Sequence, residues 1–485
     1  MAVGNVMIET NLLIGGVERR AAESFDVADP TRHGEIVGRA AAASSADAED
    51  AVSAAATAWP AWAALSASER APQVLAALAG LDTDFDERAE LLVRENGKIR
   101  FEAEIDLHVF VGRFHQAAAF ASAVDEREQI AGPPFNTTIA HAPTGVVTII
   151  FPFNWPLAIL AASLPYTLIA GNTVVVKPPP TTPLSVVTTL RHVALALPPG
   201  VLNVITGADA VVGPVVVGDP RVRHVCFTGS VPAGKRIMAL AAANLANVTL
   251  ELGGNDPAIL LDDAELDEAA FGRLARATFM TSGQVCMAIK RLYVPRRRYD
   301  EVVSGLQAAL APTRVGSGLD DETTMGPLHS TRQRDFVREL CDEAAAAGCE
   351  VVELGEFVGD ANPDVGNFLL PSLILDPRSD LRIVTEEQFG PALPVIPYDS
   401  DDEAVERAND TWSGLCSSVW SVDAEHAMRV AKRLRTGVTF FNNHNATAVD
   451  ERAPFGGFNQ SGVGRELGQE GLLAFTETHV MSVPS

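Results

Sequence analysis

The sequence predicts an α/β protein in which two parallel-sheet units carry a small β arm. From Thr144 onward, short apolar runs alternate with helix-length segments, and beyond Gly283 a second series of the same kind begins. Two peripheral stretches, one before Thr144 and one at the C-terminal end, alternate like strands with no neighbour in either series. With 485 residues, 47% hydrophobic and 20% charged, the chain has core enough for two or three domains without covalent staples.

Residues 46–123 are Ala-rich with helical spacing ("DAEDAVSAAATAW", "ERAPQVLAALAGL", "DERAELLVRENGK"), broken at Pro60 and Gly97, and predict several consecutive helices. Residues 124–143 predict two strands turned at Gly132, Pro133 and Pro134. "VVTIIF", "TVVVKP", "VLNVITG", "RHVCFTG" and "NVTLELGG" then read as strands, each separated from the next by room for one helix. Between Ala142 and Val176 there is no charged side chain, a run long enough to suggest a membrane span. Pro152, Pro156, Pro165, Gly171 and Asn172 divide it into strand, helix and strand, so it predicts the buried heart of an α/β unit. The second series comprises "RLYVP", "CEVVELG", "FLLPSLIL", "ALPVIPY", "CSSVWS" and "GVTFFNN", and the tail "FTETHVMSV" completes the arm. No low-complexity linker separates the halves, so the units are expected to pack closely. The unpaired arm strands call for a partner subunit.

A formal charge of -25, from 62 acidic against 37 basic residues, opposes binding to nucleic acid or an anionic membrane unless a basic patch intervenes. The densest basic spot, Arg296, Arg297 and Arg298, reads as a solvated turn. The 5 cysteines are odd in number and lack C-x-x-C spacing, which argues against a disulfide framework and a zinc site and for a reducing, cytoplasmic setting. "MAVGNVMIETNLLIGG" has no basic leading region and carries Glu9 within its apolar stretch, so it does not read as a secretory signal.

"FTGSVPAGKR" nearly spells a triphosphate loop: Gly229, Gly234 and Lys235 fit, but Arg236 stands where a metal-binding hydroxyl belongs. Its context of strand, glycine turn and a helix beginning near Pro232 still favours a phosphate at the helix N-terminus. No G-x-G-x-x-G dinucleotide turn follows any strand. In "SGQVCMAIKR", Cys286 lies between Gly283 and Ala288, small residues that leave room around a thiol; alone, it reads as apolar filler. Cys226, within a strand, reads as core. In "TLELGGNDP", Glu251 leaves a strand end beside Gly253 and Gly254, where burial would raise its pKa toward a proton acceptor for water; the plainer reading is a surface turn cap. In "FPFNWP", Asn154 follows a strand and precedes a helix, where its amide could stabilise an oxyanion or merely turn the chain. His444, in "NNHNATAV", reads as polar loop.

Taken in order, "FPFNWP", "AGNTVVVKP", "FTGSVPAGK", "ELGGNDP", "SGQVCMA", "EEQFGP" and "PFGGFNQSGVGRELG" resemble the aldehyde dehydrogenase superfamily over nearly the whole chain. The resemblance implies a Rossmann-like NAD(P)-binding domain at 1–123 and 144–253, a second α/β catalytic domain at 254–465, and a β oligomerisation arm at 124–143 and 466–485. It implies Cys286 as nucleophile, Asn154 as oxyanion donor and Glu251 as activator of the water that hydrolyses a thioester. Presence of that Glu favours a free acid product over transfer to coenzyme A. For the cofactor, NAD or NADP, it implies Gly229 and Ser230 at the pyrophosphate and Lys177 at the adenosine ribose. It implies Glu387 and Phe389 at the nicotinamide ribose, and Phe153 as a further cofactor-binding residue. By position Trp155, Met287, Val449 and Phe455 resemble the residues that line the family's substrate tunnel, which favours a neutral aliphatic or aromatic aldehyde. Pro180 departs from the pattern, standing where NAD-preferring members carry a Glu for the ribose hydroxyls, so NADP is expected to be accepted alongside NAD. No metal, nucleic acid or membrane is expected, and a homodimer or homotetramer is. The alternatives are a coenzyme-A-dependent acylating semialdehyde dehydrogenase and a catalytically silent structural relative.

Overall fold

The computed structural model describes residues 7–485; the first six residues of the stretch read for a leader lie outside the described part. Two large sheets and three small ones organise the described residues. The first is 8-stranded, with five central parallel strands in the order Asn247–Glu251, Val222–Thr228, Val146–Ile150, Thr173–Lys177, Leu202–Val204. Antiparallel strands extend it at both ends: Gly462–Val463 beside Glu251, and Leu12–Ile14 with Val17–Arg19 at the far edge. Chain order reverses between Val146–Ile150 and Val222–Thr228, a switch point whose carboxyl ends open into a crevice.

The second sheet is 7-stranded and parallel except at one edge, running Glu350–Glu353, Ser372–Leu375, Ala392–Tyr398, Ile289–Pro295, Asp256–Leu260, Cys416–Trp420, Val438–Phe441. One of its interior strands, Asp256–Leu260, is hidden in the sequence because Asp256 and Pro257 open it directly after the Gly253–Gly254 turn. The arm joins Glu128–Ile130, Phe135–Pro143 and Thr476–Pro484, the last two pairing antiparallel from Thr476 opposite Pro143 to Pro484 opposite Phe135. Helix Gly468–Leu473 instead packs on helix Pro156–Ala170.

Local chemistry explains the elements. Ser44 with Asp47 and Ser66 with Glu69 form capping boxes that start helices Ser45–Ala63 and Ala67–Ala76. Gly97, at φ 94°, ends helix Phe85–Asn96 in the left-handed conformation that few other residues take. Pro156 opens and Gly171 closes helix Pro156–Ala170, which is buried almost all round between sheet and helices. The uncharged run is therefore interior strand, helix and strand, and among the described residues no helix is long and apolar enough to cross a membrane. Arg296, Arg297 and Arg298 pair with Asp399, Asp262 and Glu301, as a solvated turn would.

Candidate active site

The carboxyl end of Val146–Ile150 runs into Phe151–Trp155, and Pro156 then starts the buried helix, so Asn154 is held in a short turn at the switch point. Asn154 is 2% exposed and donates one amide hydrogen to the Gln284 carbonyl at 2.8 Å, which fixes the amide plane and ties this turn to the cysteine loop. That loop follows helix Glu268–Phe279 through Thr281, Ser282 and Gly283, at φ 52°, 56° and 73°. Left-handed backbone at Thr and Ser is costly and persists only where the surroundings enforce it. Here Glu102 accepts the Thr281 amide at 2.6 Å, Ser282 donates to the Gly326 carbonyl at 2.7 Å, and Lys290 donates to the Gly283 and Val285 carbonyls.

Cys286 is half-buried at the end of this loop. Burial, with Glu387, Asp256 and Glu251 adding repulsion, pushes its thiol up to about 12, so without a ligand the sulfur is protonated. Glu251, the last residue of its strand, is 5% exposed, and neither carboxylate oxygen has a hydrogen-bond partner. Burial and then the nearby Glu466 raise its pKa well above the ordinary value, as befits a group that takes a proton.

Two clefts meet at these residues. One, enclosing about 240 Å³, is lined by Trp155, Met287, Val449 and Phe455 together with Ile105, Val109 and Met280. The other, about 260 Å³, is lined by Phe153, Gly229, Ser230, Glu387 and Phe389, with Gln333 and Phe336. Asn154, Glu251 and Cys286 line both. Lys177 and Pro180 line neither; they sit farther along the first sheet's carboxyl edge, Lys177 buried and Pro180 half-buried.

The second cleft fits a dinucleotide. Ser230 precedes helix Val231–Ala242 but makes no capping bond of its own, leaving the first-turn amides and its hydroxyl available to a diphosphate. A Cβ at Gly229 would strike the Phe227 ring, and one at Gly253 would strike the Glu387 carboxylate, so a side chain at either position would force the ring or the carboxylate to shift. Glu387 accepts the Gly254 amide at 3.2 Å, and burial raises its pKa to about 7. Phe389, at φ 46°, lies edge-on to Phe153, which stacks on His329 at 4.0 Å. Lys235 turns away from this cleft to Gln460, 2.7 Å off, so "AGKR" is no triphosphate loop.

Sequence reasoning missed several lining residues. Arg113 faces the apolar cleft from helix Arg100–Ala119, but it donates to Glu451 at 2.8 Å and to the Ala158 carbonyl at 2.6 Å, so its charge is already matched. Glu466, beside Glu251, is bonded by Ser163. His444 is no open loop residue: it is fully buried, with Nδ1 2.8 Å from Ser418 Oγ. Behind the apolar wall, Lys98 pairs with Asp106 at 2.9 Å, both 0% exposed, and the ammonium lies 4.0 Å over the Trp155 ring. Asp106 also accepts the Ala158 amide at 2.6 Å, so this pair holds the helix that carries the Asn154 turn. Lys98→Met strands a buried carboxylate and is expected to lower stability by about 3 to 5 kcal/mol, read as a shifted urea midpoint.

Residues 17–481 match the model of the aldehyde dehydrogenase family. The chain belongs to that family. The geranial dehydrogenase of Castellaniella defragrans is 40% identical over 360 residues, 74% of this chain and 73% of the relative. A crystal structure of Staphylococcus aureus betaine aldehyde dehydrogenase with NAD+ superposes with a TM-score of 0.91 at 32% identity, covering 98% of this chain and 94% of that one. An NADP-dependent Escherichia coli enzyme superposes at 0.93 and 32%, covering 98% of each chain. The protein is an NAD(P)-dependent aldehyde dehydrogenase with the family's Rossmann-like and catalytic architecture.

Proposed function

We propose that the enzyme oxidises a neutral, largely apolar aldehyde to the free carboxylic acid through a thioester on Cys286. The meeting of two clefts at Cys286, Asn154 and Glu251 carries this reading. The Cys286 sulfur, its proton released to solvent water, bonds to the carbonyl carbon of an aldehyde in the apolar cleft. Asn154, its amide plane fixed by Gln284, keeps a second amide hydrogen for the oxygen that becomes an anion. When bound along the other cleft, the dinucleotide supplies the acceptor for the hydride lost from that carbon. Glu251 then takes a proton from water; the water oxygen bonds to the acyl carbon, the carbon–sulfur bond breaks, and the proton held by Glu251 passes to the departing sulfur, restoring the thiol.

Apolar side chains dominate the substrate cleft, and Arg113, which faces it, is held by Glu451, so among the described residues lining it no cation is left free for a second carboxylate. The geranial dehydrogenase relative acts on an aldehyde of this character. Turnover of aliphatic and aromatic aldehydes without coenzyme A, followed as reduced-cofactor absorbance, tests the reading. Efficient oxidation of apolar aldehydes to acid supports it, and dependence on coenzyme A or preference for an acid-bearing aldehyde contradicts it.

The unit of the 8-stranded sheet is assigned the cofactor and that of the 7-stranded sheet the nucleophile. The arm is assigned to subunit pairing in a homodimer or homotetramer, since Ile130, Phe135, Val480 and Val483 lie exposed on it. Free thiols throughout favour a cytoplasmic setting.

A further inference from the structure

Pro180 leaves the adenosine end of the cofactor site without the carboxylate that would accept from the ribose hydroxyls. The structure brings a carboxylate there from another element. Lys177 closes strand Thr173–Lys177 and is 2% exposed, and its ammonium is paired with Asp209, the first residue of helix Asp209–Gly218. The Asp209 side chain is 75% exposed, and only Oδ1 is engaged; among the described residues nothing donates to Oδ2. A counter-ion serving the buried lysine alone would be expected to be buried with it. Neither "PPPTTP" after Lys177 nor "ITGADAVVG" around Asp209 contains Lys or Arg.

In dinucleotide sites generally, an acidic side chain facing the ribose accepts from its 2'-hydroxyl, whereas a 2'-phosphate needs a neighbouring cation. At this edge the available cation, Lys177, is already matched by an anion. We propose that Asp209 takes the acceptor position left vacant by Pro180, holding the adenosine ribose together with Lys177 and repelling a 2'-phosphate, so that NAD is bound in preference to NADP. This rests on the reading of Lys177 as a ribose-side residue. It narrows the expectation drawn from Pro180: NADP is accepted, but weakly, and the discriminating residue comes from helix Asp209–Gly218. Burial lowers the Lys177 pKa, and the neighbouring Asp209 carboxylate opposes that shift.

The test is titration of the dinucleotide-free enzyme with NAD and with NADP, read by tryptophan fluorescence quenching and calorimetry. Wild type, Asp209→Asn, Asp209→Ala and Lys177→Met are compared after their unfolding midpoints have been matched. Wild type is expected to bind NAD at least about tenfold more tightly, and both Asp209 variants to reduce that ratio by about tenfold or more, the scale of one charge-assisted hydrogen bond. In those variants NAD should weaken while NADP tightens. Lys177→Met should weaken both ligands. An unchanged ratio in the Asp209 variants, with Lys177→Met still weakening both ligands, overturns the proposal alone. Unchanged constants in Lys177→Met overturn the reading of the site beneath it, and the proposal with it.

Discussion

Cys286→Ser is expected to lower aldehyde oxidation by about 10⁴-fold or more, the scale seen when a covalent nucleophile is removed. The sulfur is half-buried where the two clefts join, and its loop is pinned by Glu102, Ser282 and Lys290, so a serine hydroxyl would occupy the same place. Position is therefore kept while nucleophilicity is lost. The burial that, with the neighbouring carboxylates, pushes the thiol up to about 12 would make an alkoxide harder still to form. Dinucleotide affinity should change little, since the variant alters only the reacting atom. Steady-state rates paired with NAD titration check both halves of this expectation.

Glu251→Gln is expected to slow turnover by about 10² to 10⁴-fold, the usual scale for loss of a general base, while leaving a first burst of reduced cofactor visible. The burst belongs to formation of the thioester, which uses Cys286 and Asn154; only hydrolysis calls on Glu251. Removing the carboxylate also removes one of the charges that oppose a thiolate at position 286, so the burst should be no slower than in wild type. The pH profile carries the sign of the same assignment. Because burial and Glu466 raise the Glu251 pKa well above its ordinary value, the base form grows as pH rises through that raised pKa, and deacylation should accelerate with it. Stopped-flow measurement across pH should show this acceleration in wild type and its absence in Glu251→Gln. A burst that disappears with Glu251 would place the residue in the wrong step.

What the sequence made legible follows from where the reacting groups sit. Asn154, Glu251 and Gly229 lie at or just beyond strand ends, where one short motif contains the strand, the turn and the functional residue together. Cys286 was legible through the small residues of its loop and the order of the surrounding motifs. Arg113, Glu466 and Asp209 gave no such signal, because each reaches its place from a remote helix or loop, and only the folded chain sets Arg113 against Glu451 or Asp209 against Lys177. The strands between Ile8 and Ala42 were also missed. Several are only three residues long, too short for alternation to register, and Ile8–Thr10 and Leu12–Ile14 pair with strands farther along the chain, Ile36–Ala42 and Leu202–Val204.

The pairing of Lys98 with Asp106 shows why the site depends on residues that never touch an aldehyde. It fixes the start of helix Pro156–Ala170 from behind, while Gln284 fixes Asn154 from the cysteine loop, so the oxyanion donor is located from both sides. Mutations in that buried network should therefore disturb catalysis and stability together, whereas changes at Asp209, which also leave the buried Lys177 without its counter-ion, are read by the ratio of NAD to NADP affinity.

Intact-protein and peptide mass spectrometry of Glu251→Gln, quenched in acid after mixing with an apolar aldehyde and NAD, tests the central assignment most directly. The expected result is an adduct equal to the aldehyde less two hydrogens, carried on the peptide containing Cys286 and missing from Cys286→Ser. No adduct despite reduced-cofactor formation, or an adduct on any other residue, would contradict the account.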